Sequence, residues 1–404
     1  MRLRGRVRCP PRRDGCLARE AREDVRVAII GAGVLGASTA FHLALAGAEV
    51  VVADQAHAGR ATAAGAGIVS PWSSGRVDPD WRRIAEAGAR YYPALIQRLA
   101  DEGETETGYR RVGALSVAAD GAELDRIERA VRARRIEAPE VGEVTRLSPA
   151  QARALFPPLR SDLGAVHVAG GARVDGRLLA AALRRAAERR GTRFHGGAAG
   201  LLARDGRVTG IRLGSEEIGA DRVVAAGAWA PELLQPLGVA LAVAPQRGQI
   251  THLRLEGVDT EAWPVVLPRS SHYLLAFGGS RVVVGATRET GSGFDHRVTA
   301  AGQAEVLNEA LAVAPGLGPA TLVETRIGFR PVGPDLRPML GWVSGLDGLV
   351  VGNGLGPSGL TIGPLAGRLL AQLVLGEAPE LDLAPYDPLR ASSATEAGGA
   401  DAIR

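Results

Sequence analysis

The chain contains no lysine: all 48 of its basic residues are arginine. That absence removes Schiff-base chemistry and any lysine general base, and its uniformity is read first as coding bias. Only two cysteines occur, Cys9 and Cys16, both in the arginine-rich first 24 residues. From Val25 onward there is therefore no thiolate nucleophile, disulfide framework or cysteine metal site. No apolar run approaches the roughly 20 residues that cross a bilayer, and the N-terminal segment lacks the apolar stretch of a secretory signal. Histidines are few and none fall at H-x-x-x-H spacing, so nothing suggests a metal.

The formal net charge of +4 sits in one place. Residues 1–24 hold eight of the 48 basic residues and four of the 44 acids, leaving forty of each in the remainder. A balanced body argues against a nucleic-acid partner. The acids Asp14, Glu20, Glu23 and Asp24 also argue against a transit peptide, so residues 1–24 are expected to be a disordered leader, and the Ala/Ser/Gly-rich residues 391–404 a disordered tail. At 404 residues with 46% hydrophobic composition, the chain is long enough for two domains.

What is present is a nucleotide-binding signature. Val27 to Ile30 read as a buried parallel strand, followed at once by Gly31, Gly33 and Gly36 in the spacing G-x-G-x-x-G. The first glycine permits the turn, the second the approach of a pyrophosphate to the backbone, and the third close packing of helix on strand. Val34 and Leu35 open that helix, Gly47 closes it, and Glu49 to Ala53 form a second strand. Asp54 ends this strand eighteen residues after Gly36, where such folds place the acid for a ribose hydroxyl, with Gln55 beside it. The motif alone does not separate NAD from FAD; its position at the start of the body, with many strands and a returning final helix, favours FAD.

Downstream, Arg60 to Trp72 is rich in Gly and Ala and suits close approach of a phosphate or ring. A helical pattern from Pro79 to Leu99 contains Pro93, expected to kink or divide it. Tyr109 to Ala118 reads as one strand, Ala122 to Arg135 as an exposed helix, and Leu178 to Ala186 as an amphipathic one. Strand-like runs at Ile250 to Leu253, Tyr273 to Phe277 and Arg281 to Ala286 predict an antiparallel sheet separate from the parallel one. The fold class expected is α/β: a discontinuous Rossmann-like domain (25–90, 145–240 and 325–390) with an antiparallel-sheet α+β substrate domain (91–144 and 241–324).

Several motifs in family order resemble the D-amino-acid oxidase superfamily of flavoproteins, particularly its glycine oxidase and D-amino-acid dehydrogenase branches. They are the opening glycines with Asp54, Ala63-Ala64-Gly65-Ala66-Gly67, the AAGAW of Ala225 to Trp229, Arg247-Gly248-Gln249, Gly285 to Thr287, Gly328 to Asp335, and Asn353 to Pro364. The resemblance implies FAD lying extended along Gly31 to Gly36 and Asp54. Its ring would sit between the loop Ala63, Ala64, Gly65 and Gly67 and the helix opening at Gly359, with Ala226, Gly227, Trp229, Gly354, Gly356, Ser358, Leu360 and Thr361 also at the cofactor. Some relatives attach flavin to a histidine before their AAG triplet; here Thr62 stands there, which implies non-covalent FAD.

For the substrate, the resemblance implies that Arg330 grips a carboxylate with its planar fork, and that Tyr273 donates its hydroxyl to the same group. His272 alternates with Tyr273 along the strand and should face the other way. Pro357 occupies the place of a second carboxylate-binding arginine in glycine oxidase, and the absence of lysine removes a residue that promotes oxygen reaction in sarcosine-oxidase relatives. The implied activity is FAD-dependent oxidative deamination of a D-amino acid or glycine-like amine by hydride transfer from Cα, giving a 2-oxo acid and ammonia. Secondary-amine or hydroxy-acid oxidation is the alternative, and a flavin-binding subunit needing a partner is a third. The electron acceptor is O2 or a quinone or carrier protein. The expected partner is a small-molecule amine, the location cytoplasmic with room for peripheral membrane contact, and the oligomeric state is left open.

Overall fold

The computed structural model describes residues 25–390; the expected leader and tail lie outside them. A six-stranded sheet runs in the order Met339–Trp342, Leu349–Asn353, Arg222–Ala226, Arg26–Ile30, Glu49–Asp54, Arg193–Gly196, and all neighbours but the first pair are parallel. Side chains of its strands alternate between two apolar layers. Val27, Ile29, Val50 and Val52 face the helices Val34–Leu45, Pro79–Asp101, Gly176–Arg189 and Gly359–Val374. Ala28, Ala53, Val223 and Ala225 face a three-stranded meander through Val208 and Ile211. Burial on both faces is why these strands are continuous apolar runs in the sequence.

A second, nine-stranded mixed sheet carries the long pair Ala244–Arg254 and Thr321–Val332, then Arg281–Gly285, Tyr273–Phe277, Val265–Leu267 and Ala114–Ala118. One face packs on the helix Ala300–Val313 through Leu274, Val282, Val284 and Val306; the other, with Ile250, Leu275, Val283 and Tyr273, meets the segment Ala66–Ile68. That second face is the roof of the site.

The structure moves several expected boundaries. Val144–Leu147 and Gly164–Val168 pair in the nine-stranded sheet rather than lying with the nucleotide-binding sheet, and Thr321–Val332, expected in part with the latter, pairs with Ala244–Arg254. A boundary at residue 90 would cut the helix Pro79–Asp101, which runs through Pro93 undivided. The single strand expected from Tyr109 is two, Arg110–Arg111 and Ala114–Ala118, separated at Gly113 with φ of +79°.

Proline has a readable consequence in the last helix. Pro364 lacks the N–H that would bond the carbonyl four residues earlier, Leu360. The fully buried Tyr92 hydroxyl donates to that carbonyl instead, and Ser38 on the first helix donates to the Pro364 carbonyl at 2.7 Å. The start of the last helix is thereby tied to two neighbouring helices.

Candidate active site

Between the two sheets lies a cavity of about 620 Å³. Its floor is the turn after the first strand. A Cβ on Gly36 would collide with the Gly31 carbonyl, so this glycine is what lets the first helix begin so close to the strand. Asp54 accepts from the backbone N–H of Ala32 at 2.6 Å and from that of Ala56, and Arg60 stands 3.7 Å from its carboxylate. The acid therefore braces the glycine turn as well as facing the cavity. At the helix N-terminus the Val34 N–H donates to Thr62 Oγ1 at 3.0 Å. Uncovered N–H groups and the positive end of a twelve-residue helix make this floor an anion cradle.

The site's other end is built on the second sheet. Arg330 projects from Thr321–Val332 and donates to the Thr287 carbonyl at 3.0 Å. Its guanidinium also meets the Tyr273 hydroxyl. Burial holds the Arg330 pKa below its ordinary value, with Tyr273 opposing; burial pushes the Tyr273 hydroxyl up, against the Arg330 and Arg288 charges. Arg330 has room because its diagonal neighbour on the paired strand is small: a Cβ on Gly248 would stand 2.6 Å from the guanidinium nitrogens. Glu289, close in sequence, is turned onto Arg247 (2.6 Å), Gln249 (2.8 Å) and Thr287 (2.7 Å). Among the described residues no carboxylate lies within ion-pair distance of Arg330.

Most expected residues line this one cavity: Gly31, Gly33, Val34, Leu35, Gly36, Asp54, Gln55, Ala64, Gly65, Gly67, Ala226, Gly227, Trp229, Gly356, Gly359, Leu360, Tyr273 and Arg330. Four do not. The Ala63 carbonyl faces away to accept from Arg177 at 2.9 Å, and Gly354 makes the turn before the last helix with φ of +66°. Ser358 accepts from Arg76 at 3.1 Å and from Trp81 Nε1 at 3.2 Å, and Thr361 is buried against the Ile68 carbonyl at 2.9 Å. These four hold the wall from behind. His272 faces Glu305 at 3.3 Å on the opposite side of its strand from Tyr273.

Sequence reasoning named Thr62 only as the residue before the AAG triplet and missed its place at the start of the first helix. It also missed His57, stacked on Trp229 at 4.2 Å with Phe294 on the other indole face at 4.7 Å. Arg288 was missed because the motif reading stopped at Thr287; it lines the cavity beside Tyr273 and Arg330.

A family model described as FAD dependent oxidoreductase (DAO) matches residues 26–373. The chain belongs to this family. An uncharacterized oxidoreductase of Bacillus subtilis (strain 168), YurR, is 52% identical over 89% of this chain and 97% of its own length. Glycine oxidase of Pseudomonas aeruginosa (strain PAO1) is 34% identical over 90% of this chain and 98% of its own length. Among solved structures, iminodiacetate oxidase (IdaA) from Chelativorans sp. BNC1 superposes with a TM-score of 0.88 at 55% identity, covering 90% of this chain and 99% of that one. Glycine oxidase from Geobacillus kaustophilus gives 0.78 at 28% identity, covering 91% and 99%. The protein is thus a DAO-family, FAD-dependent oxidoreductase, and no helix among the described residues is long and apolar enough to cross a membrane. The glycine cradle, the positive end of the helix Val34–Leu45 and the cavity between the two sheets are the features such a dinucleotide needs, so the residues fit FAD.

Proposed function

We propose that the protein oxidises the Cα–N bond of a small, N-substituted α-amino acid of the glycine type. The observation that carries this reading is the Arg330 guanidinium, set into the cavity with Tyr273 and with no carboxylate partner among the described residues. A buried charge left unpaired is costly, and a substrate carboxylate supplies both the countercharge and two acceptors matching the fork. The 55% identity to iminodiacetate oxidase favours a secondary amine.

In this reading Arg330 and Tyr273 fix the carboxylate, which orients the adjacent carbon. FAD, when bound, accepts the hydride from that carbon. The apolar wall of Ile250, Ala286 and Leu360 excludes water while the C–H bonding pair departs with the hydride and the lone pair of the neutral amine forms the C=N bond. The amine proton leaves to solvent, and water then hydrolyses the imine to a 2-oxo acid and the N-substituent's amine. Oxidation of a primary amine by the same residues is the second reading, supported by the glycine oxidase relatives.

Product analysis tests the choice. N-methylglycine should yield glyoxylate and methylamine, or glycine and formaldehyde if the methyl carbon is attacked. Ammonia from glycine at a higher kcat/KM than any product from N-methylglycine would favour the second reading.

A further inference from the structure

The positive charge at the substrate end exceeds what one carboxylate needs. Arg288 lines the cavity with Arg330, partly enclosed by it and partly open to solvent, and its one hydrogen bond among the described residues goes to the Ser271 carbonyl at 3.4 Å. Behind the last helix's first turn, Arg76 lies over the Trp81 ring at 4.7 Å and donates to Ser358, also without a carboxylate partner among the described residues. Ion pairs are abundant elsewhere: Arg247 alone meets Glu289 at 2.6 Å and Asp295 at 2.8 Å. Two arginines at one end of the cavity and a third behind its wall, with the adjacent acid committed to Arg247, repel one another. Desolvation first, and one another's charge second, oppose their protonation. Burial and then Arg330 hold Arg288 below its ordinary value, and burial and then Arg288 bring Arg76 down to about 10.

We propose that Arg288 is a second anion-binding position beside Arg330, backed by Arg76, so that the substrate class is a dianionic amine carrying a carboxylate on each side of its nitrogen. This rests on the amine-oxidation reading above, but the anion site is testable without turnover. The segment Ala286–Arg288 couples the two positions: its Thr287 carbonyl orients Arg330 while the next residue presents Arg288. A dianion would relieve the repulsion that the free site retains, and a monoanion would leave one arginine unanswered.

The test uses the FAD-loaded enzyme and two inert ligands, thiodiacetate and methylthioacetate, which replace the amine by sulfur and differ by one carboxylate. Flavin absorbance reports binding of each. Thiodiacetate should bind wild type at least tenfold more tightly than methylthioacetate, and Arg288→Met should collapse that ratio toward one while Arg288→Lys restores part of it. In wild type, thiodiacetate binding should also weaken more steeply with added NaCl, a readout that needs no variant to fold. A ratio near one in wild type, or one that Arg288→Met leaves intact, overturns the proposal. If thiodiacetate binding depends on Arg288 but neither iminodiacetate nor N-methylglycine reduces the flavin, the anion site stands and the amine-oxidation reading fails.

Discussion

Replacing Arg330 with methionine keeps the length and much of the volume of the side chain while removing its charge and its fork. Two consequences separate cleanly. The Thr287 carbonyl loses a donor, a local loss of about 1 kcal/mol that would show as a small fall in melting temperature. The substrate carboxylate loses a pair of charge-assisted hydrogen bonds, each worth about 1.5–3 kcal/mol; the two are not additive, and ~3–4 kcal/mol together corresponds to roughly a 10²–10³-fold loss. Because the carboxylate sets where the reacting carbon sits, the loss should fall on the reduction rate as well as on binding. Anaerobic stopped-flow reduction by N-methylglycine resolves the two. Tyr273→Phe removes one hydrogen bond and should cost about tenfold. A folded, yellow Arg330→Met enzyme reduced within threefold of the wild-type rate would refute the assignment, as would equal rates for an amino acid and its decarboxylated amine.

Gly36→Ala should abolish FAD retention, since the added Cβ meets the Gly31 carbonyl; the ratio of flavin to protein absorbance after purification measures this. Tyr92→Phe leaves the Leu360 carbonyl without its donor beneath Pro364 and should cost about 1–2 kcal/mol, read as a melting temperature lower by a few degrees. His42 donates from Nδ1 to the Ser38 carbonyl at 2.7 Å and accepts from the Tyr91 hydroxyl at 2.6 Å, so it is held neutral, its pKa lowered by burial from 6.5 to about 4. Between those values the unfolded chain binds a proton that the folded chain refuses. Its contribution is therefore complete above pH 6.5 and lost as pH falls toward 4, by at most about 3 kcal/mol. His42→Gln should flatten the melting temperature across that window relative to wild type; an unchanged slope would remove His42 as a cause.

The nucleotide-binding half was legible because its signals are local. A buried strand must be apolar on both faces, the turn must be glycine, and the acid must end the next strand, all within Val27 to Asp54. Domain limits were less legible. Val144–Leu147 and Gly164–Val168 join the second sheet through partners distant in sequence, and a strand's pattern does not name the sheet it enters. Pro93 does not divide the helix, because the packing of Trp81, Ile84, Tyr92, Leu95 and Leu99 along one face of Pro79–Asp101 outweighs the lost hydrogen bond. At the site, Arg330 could be found by its motif, but Arg288 could not be distinguished from an ordinary surface arginine until the structure showed Glu289 turned onto Arg247.

In the proposed reaction an amine anchored by its carboxylate in this cavity gives up its electrons to FAD. The most direct measurement is the visible spectrum of the purified protein under anaerobic conditions during addition of iminodiacetate, N-methylglycine and glycine in turn. The expected result is a yellow protein whose flavin bands bleach with at least one of these amines, iminodiacetate at the lowest concentration. A yellow protein that none of them bleaches, or a colourless one that takes up no added FAD, would contradict it.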